Sequence, residues 1–221
     1  MKYFSNFRSI NYSLDNNDLE FKLIKNPLTR VKMIRDVLEN VQIFYQYQMK
    51  DSDTPEIIAH KLYDDPNRYW MVMFSNNLID PYYDVPFDYS ELDAYVVYTY
   101  GSIANAQSQI HHYERRTELT TNDNGMIESK EYVVELQEKS YDYVNNVIVT
   151  NTLPTLNTSP ITVATTTTTI DGITITKTVK DYAISSYDYE LTENEKKRSV
   201  NLIRNEYVEQ IENEFKQLLS K

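Results

Sequence analysis

The sequence predicts an α+β fold, on three observations. An alternating strand is followed by two short, well-capped helices between Val41 and Asp80. Helix formers then give way to β-branched residues from 110 to 181. Apolar residues return at spacings of three and four from Leu191 onward. Of the 221 residues, 41% are hydrophobic and 25% charged, in the range of ordinary globular proteins. A chain of this length typically buries about 70% of its unfolded surface, so a substantial core is expected.

Residues 1–40 read as an amino-terminal aromatic arm (Tyr3, Phe4, Phe7, Ile10, Tyr12) followed by a short helix. That helix, Leu28 to Leu38, has Val31, Ile34, Val37 and Leu38 on one face. Val41 to Met49 alternates as a half-buried strand, with Val41, Ile43, Tyr45, Tyr47 and Met49 on one side. Asp53-Thr54-Pro55-Glu56 is a helix start: a capping oxygen, proline at the first helical position and an acid in the first turn. Ile57, Ile58 and Leu62 give this helix an apolar face. Asp65-Pro66-Asn67 opens a second helix with Trp70, Met73 and Phe74 on its face, which must end before Asp80-Pro81. Trp70 at this spacing is a core residue. Tyr82 to Val85 is expected as a short returning strand, so 41–87 reads as a small βααβ unit.

Residues 88–110 form a helix and connection. Asp88 with Glu91 opens the helix, Leu92, Tyr95, Val96 and Thr99 line it, and Gly101 closes it. Residues 111–186 are a β-rich insertion, with strands at Val147–Val149, Ile161–Thr169 and Ile173–Val179. Ile170-Asp171-Gly172-Ile173 is a two-residue hairpin signal, Thr165–Thr169 an exposed ribbon and 151–160 a loop. The last segment, 187–221, is helical: Thr192 and Glu195 form a capping box before a stripe of Val200, Ile203, Tyr207, Ile211, Phe215 and Leu218. As one helix, Glu193 to Leu219 would span about 40 Å, with Asn205 as the place for a break. Glu195, Lys197, Arg204, Glu209 and Glu212 are expected to face water. A stripe that long outruns the βααβ unit, so Ile211 and Phe215 are expected at a partner contact.

Composition closes off several kinds of chemistry. Gly101, Gly125 and Gly172 are too scattered for a phosphate loop or dinucleotide fingerprint. The absence of cysteine removes disulfides, thiolate metal sites and a Cys nucleophile. His60, His111 and His112 form no HExxH pair, and His111-His112 with Glu114 reads as a solvated loop. A net charge of −11 argues against nucleic acid or an anionic membrane as partner. No run approaches eighteen apolar residues and the amino terminus has no apolar signal region, so the expectation is a soluble protein assembled in a reducing cytoplasm. No carboxylate pair stands out among 33 acids, and Glu190, Glu193 and Glu195 read as helix-start electrostatics. No enzyme, metal or cofactor is expected. The aromatic excess points instead to interfaces: twenty Tyr against seven Phe and one Trp.

The run from Asp53 to Pro86, DTPEIIAHKLYDDPNRYWMVMFSNNLIDPYYDVP, resembles a LysM module. More specifically, it is similar to the LysM-like baseplate wedge protein 53 family of contractile-tailed bacteriophages. Thr54, Pro55, Glu56, Ala59, Leu62, Tyr63, Pro66, Trp70, Asn77, Asp80, Pro81, Tyr82 and Tyr83 sit at matching steps. Asp64 stands where that family commonly has glycine. A second block, Tyr187-x-Tyr189-Glu190 and Asn194-Glu195-Lys196-Lys197-Arg198, resembles the start of the family's terminal helix, and Tyr3 to Tyr12 fits its first residues loosely.

The resemblance implies a LysM-like domain at 41–87 and a structural subunit of the virion. Such a subunit clamps neighbouring wedge proteins and helps join wedges into a ring around the tail hub. The partners implied are other wedge and sheath-initiating tail proteins, and copies of the chain itself around the ring. Partner contacts are expected at Tyr3, Phe4, Phe7, Tyr82, Tyr83, Ile211 and Phe215. The alternative is a LysM-type peptidoglycan- or chitin-binding module of a tail or cell-wall protein. Its groove would be lined by Lys50–Thr54 and Asn76–Tyr83, but no repeated module or signal segment favours glycan as the partner.

Overall fold

A computed structural model describes residues 3–13, 21–26, 42–123 and 125–220. The helix expected over Leu28–Leu38 lies outside the described residues. The architecture is α+β, as expected, and the chain divides into two compact units. One is built from residues up to Asp88 and from Asn194 on, the other from Tyr89 to Glu193.

The first unit is a helix-covered antiparallel pair whose strands come from distant parts of the chain. Strand β3 (Phe44–Gln48) pairs antiparallel with β10 (Ser199–Ile203), from Ser199 opposite Gln48 to Ile203 opposite Phe44. Strands β1 (Ser9–Tyr12) and β2 (Lys22–Lys25) form a separate pair. Helix α1 (Pro55–Tyr63) starts as its sequence dictates: Thr54 accepts the Ile57 N–H at 3.3 Å and Pro55 occupies the first turn. It stops at Asp64, whose φ of 54° is left-handed and whose N–H returns to the His60 carbonyl. This is the position where the resembled family commonly has glycine, and aspartate is among the few side chains that tolerate this backbone. Asp65 then caps a 3-10 turn, Pro66–Arg68, which leads into helix α2 (Tyr69–Ser75). The buried faces differ in detail from the expected ones. Ile58, Ala59 and Tyr63 go inward from α1 while Ile57 is exposed, and Trp70, Met71 and Val72 are the fully buried residues of α2.

The long terminal helix is corrected. Helix α5 (Ser186–Lys196) ends, β10 follows, and only then does α6 (Asn205–Ser220) begin. Val200, Leu202 and Ile203 are therefore buried strand residues, and the stripe on α6 is short enough to be covered within its own unit. Val208, Phe215 and Leu219 are buried, and the Phe215 ring stacks on Trp70 at 4.5 Å. Glu212, expected in water, is buried and receives the Arg68 guanidinium at 2.9 Å. No strand forms at Tyr82–Val85; β10 takes the place beside β3.

In the second unit, α3 (Tyr89–Tyr100) ends at Gly101, whose φ is +83°, and α4 (Ile103–Ser108) starts from the Ser102 cap. A four-stranded antiparallel sheet follows, in the order β5 (Gly125–Val134), β4 (Ile110–Thr121), β9 (Ile173–Ser185), β8 (Ile161–Ile170). Strands β6 (Lys139–Asp142) and β7 (Val147–Thr150) form a hairpin of their own. Asp171 and Gly172 both have positive φ, the geometry of a type I′ turn. The base of the sheet is buried at Asp181, Ala183 and Ser185, whereas β8 is exposed from Thr162 outward.

Candidate partner-binding interface

The first unit presents a loop, Asn77–Val85, whose backbone is held from within while its large side chains point outward. Asn77, with φ of 54°, turns the chain away from α2, and the Leu78 N–H closes onto the Met73 carbonyl. One carboxylate oxygen of Asp84 accepts both the Ile79 N–H (2.7 Å) and the Asp80 N–H (2.8 Å). These backbone donors hold the Asp84 carboxyl below its usual range. Asp80 in turn accepts the Tyr82 N–H at 2.8 Å, with Pro81 between them. The Lys197 ammonium donates to the Tyr83 carbonyl at 2.5 Å and lies over the Phe87 ring, 5.1 Å from its centroid. The loop leaves through buried Phe87, whose N–H and C=O are both taken by the Asn194 side chain at 2.7 and 3.0 Å.

Outside this scaffold stand Ile79, Tyr82 and Tyr83, which are 69%, 72% and 56% exposed. Tyrosine rings on an ordered backbone bring apolar area and a hydroxyl to a partner with little entropy left to lose. The arrangement suits protein contact.

The other expected contact residues separate into two groups. Tyr3 packs its ring against Phe74 and Phe215 at 5.7 and 5.4 Å, while Phe7 is buried. Of the arm, Phe4 is turned outward, at 56% exposure. Lys25 fixes this turn by donating to the Ser5 and Phe7 carbonyls. Phe215 is core and Ile211 is half-buried against it. The physical reason is the β10 break, which lets the aromatic side chains of the arm, α2 and α6 meet in one cluster.

The remaining motif residues act as braces. Tyr63 donates its hydroxyl to the Ile203 carbonyl at 3.0 Å, tying α1 to β10. Glu56 occupies the first turn of α1, and Pro66 the start of the 3-10 turn. Arg198 holds Glu195 through its Nε at 2.8 Å, Asp51 at 2.7 Å and the Met49 carbonyl. In the second unit, Glu190 accepts the Tyr100 hydroxyl at 2.9 Å. Burial first, then that hydrogen bond, pushes the Tyr100 phenol up to about 12. His111, His112 and Glu114 lie on β4 rather than in a loop, with His111 stacked on Tyr189 at 3.8 Å.

Asp53, read from sequence only as part of the helix start, sits buried before α1. It accepts from Tyr47 (2.7 Å), the Lys50 N–H (3.0 Å) and Lys61 (2.6 Å). The bracing role of Asp84 was missed, and Lys197, expected to face water, braces the same loop. The spacing of Asp80 and Asp84 around Pro81 was a readable turn signal, whereas Lys197 lies over a hundred residues away from the loop it braces.

Among the described residues no cluster of three His, Asp or Glu side chains could hold a metal ion, and no helix is long and apolar enough to cross a membrane. A search of curated proteins found no match. A family model described as base plate wedge protein 53 matches residues 30–218. The match takes in both motif blocks and the Thr-rich sheet between them, and leaves the aromatic arm outside. The chain therefore belongs to the base plate wedge protein 53 family.

Proposed function

We propose that this protein clamps neighbouring wedge subunits together and helps join wedges into the ring around the hub of a contractile tail, acting by binding alone. Membership of the family makes it a structural protein of the phage tail baseplate, among other baseplate proteins. The clamping role rests on the Asn77–Val85 loop: Ile79, Tyr82 and Tyr83 face outward from a backbone locked by Asp80, Asp84, Lys197 and Asn194. Phe4 adds a further outward aromatic. Wedge and sheath-initiating proteins are the partners this reading expects, met during assembly in the host cytoplasm.

The LysM-like reading is supported by the order β3, α1, α2 and then an antiparallel partner for β3, provided the partner is β10 and the second unit is an insertion before it. A fragment ending at residue 87 would then lack its second strand. In the resembled modules, the loop after the second helix lines the sugar groove, so glycan binding is tested alongside. The experiment is co-expression of the full chain, or of its Tyr82→Ala/Tyr83→Ala variant, with neighbouring wedge proteins, followed by sizing. The same proteins are incubated with purified peptidoglycan. The proposal expects complex formation by the full chain, loss of the complex in the variant and no retention on peptidoglycan. Retention abolished by the same two substitutions would transfer the loop to glycan binding.

A further inference from the structure

Among the described residues the sheet of the second unit ends in two free edges, β5 and β8, and they are built differently. β5 carries Glu128, Lys130 and Glu131, and its register with β4 shifts beside Leu119 and Thr120. Charges and bulges are the usual guards that keep an edge from templating another strand. β8 has no charged residue from Ile161 to Ile170, and it is exposed from Thr162 on. Its one irregularity lies at the near end, between Thr162 and Ala164. From Ala164 to Ile170 the pairing with β9 is unbroken, so the outer side is a regular row of backbone donors and acceptors.

Charge decides which face of a second copy can meet this edge. The chain carries −11, which sets most faces of two copies against each other. The β8–β9 hairpin is locally neutral, with Asp171 and Asp181 against Lys177 and Lys180. The edge is also its own complement, because the run Thr165–Thr169 reads the same outward from Thr167 in both directions.

We infer that β8 is a self-pairing edge, joining two copies antiparallel through Ala164–Ile170 about a two-fold axis at Thr167. Thr165 then faces Thr169 of the second copy, Thr166 faces Thr168, and Ala164 faces Ile170. Cross-strand Thr pairs are favourable, and no like charges meet. The result is a closed, eight-stranded sheet with the guarded β5 edges outermost.

Sedimentation of the full chain over a range of concentrations tests this, because dimers should give way to monomers on dilution. Thr167→Lys should abolish the dimer while keeping the far-UV spectrum, and Ser129→Lys on β5 should leave it intact. The chain has no cysteine, so Thr167→Cys should oxidise to a disulfide-linked dimer, while Met126→Cys on β5 should not. The cross-link holds the inference to account even where the lysine variant misfolds. A monomer at every concentration, a dimer that survives Thr167→Lys, open-ended assembly, or cross-linking through Met126 rather than Thr167 would each overturn it.

Discussion

The first unit is mainly helix and the second mainly strand, and their interiors are held together in opposite ways. Apart from Phe4 and the Asn77–Val85 loop, the first closes on an aromatic core: Tyr3, Phe7, Trp70, Phe74 and Phe215 meet as rings around one point, closed by β3 and β10. The second leaves most of its sheet open, with Met126, Ile127, Val133, Val163 and Ile170 all exposed. What fixes its register is polar. Arg115 forks onto Asp181 at 2.6 and 2.8 Å, Lys180 reaches Glu118 at 3.0 Å, and the Arg116 guanidinium lies 4.4 Å from the Tyr182 ring centroid. One unit is specified by packing, the other by backbone ladders, ion pairs and a turn. An open sheet buries little apolar surface of its own, which leaves that surface for association.

The contrast can be probed because the one tryptophan, Trp70, reports on the first unit alone, while far-UV β signal is dominated by the second. The largest expected effect is Phe215→Ala. Removing a buried aromatic stacked on Trp70 should cost about 3–5 kcal/mol and melt the tryptophan signal early, with the β signal kept. If both signals fall together, the units share one cooperative transition and the contrast is overdrawn.

Asn194→Ala comes next. It leaves the buried Phe87 N–H and C=O without their partner, at a cost of about 1–3 kcal/mol. The tryptophan transition should move and the outward loop should become protease-sensitive at Asp80–Asp84. Protection equal to the unaltered chain would mean that Asn194 does not anchor the loop.

Gly172→Val should be milder, about 1–2 kcal/mol, because valine at a φ of +82° is strained although nothing crowds the site. The β8–β9 hairpin should lose amide-exchange protection while Trp70 stays unchanged. A shifted tryptophan melt would argue against independent units.

The smallest effect is in alkali. The Tyr100 phenol is raised to about 12, so its contribution is complete below its unfolded value near 10 and disappears as pH rises through about 12. Tyr100→Phe should flatten that limb for the β signal only. The first unit keeps its own alkaline limb through Tyr47, held at about 12 chiefly by its hydrogen bond to Asp53. An unchanged β limb would show that the Tyr100–Glu190 contact does not couple to folding.

How far the sequence was legible followed the range of the interactions. Local chemistry was readable: the Thr54 cap, the Asp65-Pro66 start, the Gly101 stop and the Asp171-Gly172 turn all lie where their residues put them. Strand β10 was not, because Val200 and Ile203 fit helical spacing, and only pairing with β3, some 150 residues earlier, makes them a strand. That one misreading turned Ile211, Phe215 and Glu212 toward a partner or water instead of the core. Strands β4 and β5 escaped for a related reason. Their polar, half-exposed faces give little alternation, and their order comes from ion pairs between distant residues. Of the expected contact residues, Tyr82, Tyr83 and Phe4 are outward, and nothing local in the sequence separates them from inward Tyr3 and Phe7.

That outward–inward division is the central claim, and one paired measurement tests it most directly. Thermal melting followed at Trp70 and affinity for purified neighbouring wedge proteins are measured on Tyr82→Ala/Tyr83→Ala and on Phe215→Ala. The account predicts an unchanged melt with at least about thirtyfold weaker binding for the tyrosine pair, the scale of an interface hot spot. For Phe215→Ala it predicts an early melt, with binding kept at temperatures where the protein is folded. Full affinity in the tyrosine variant, or lost affinity in a fully folded Phe215→Ala, would contradict it.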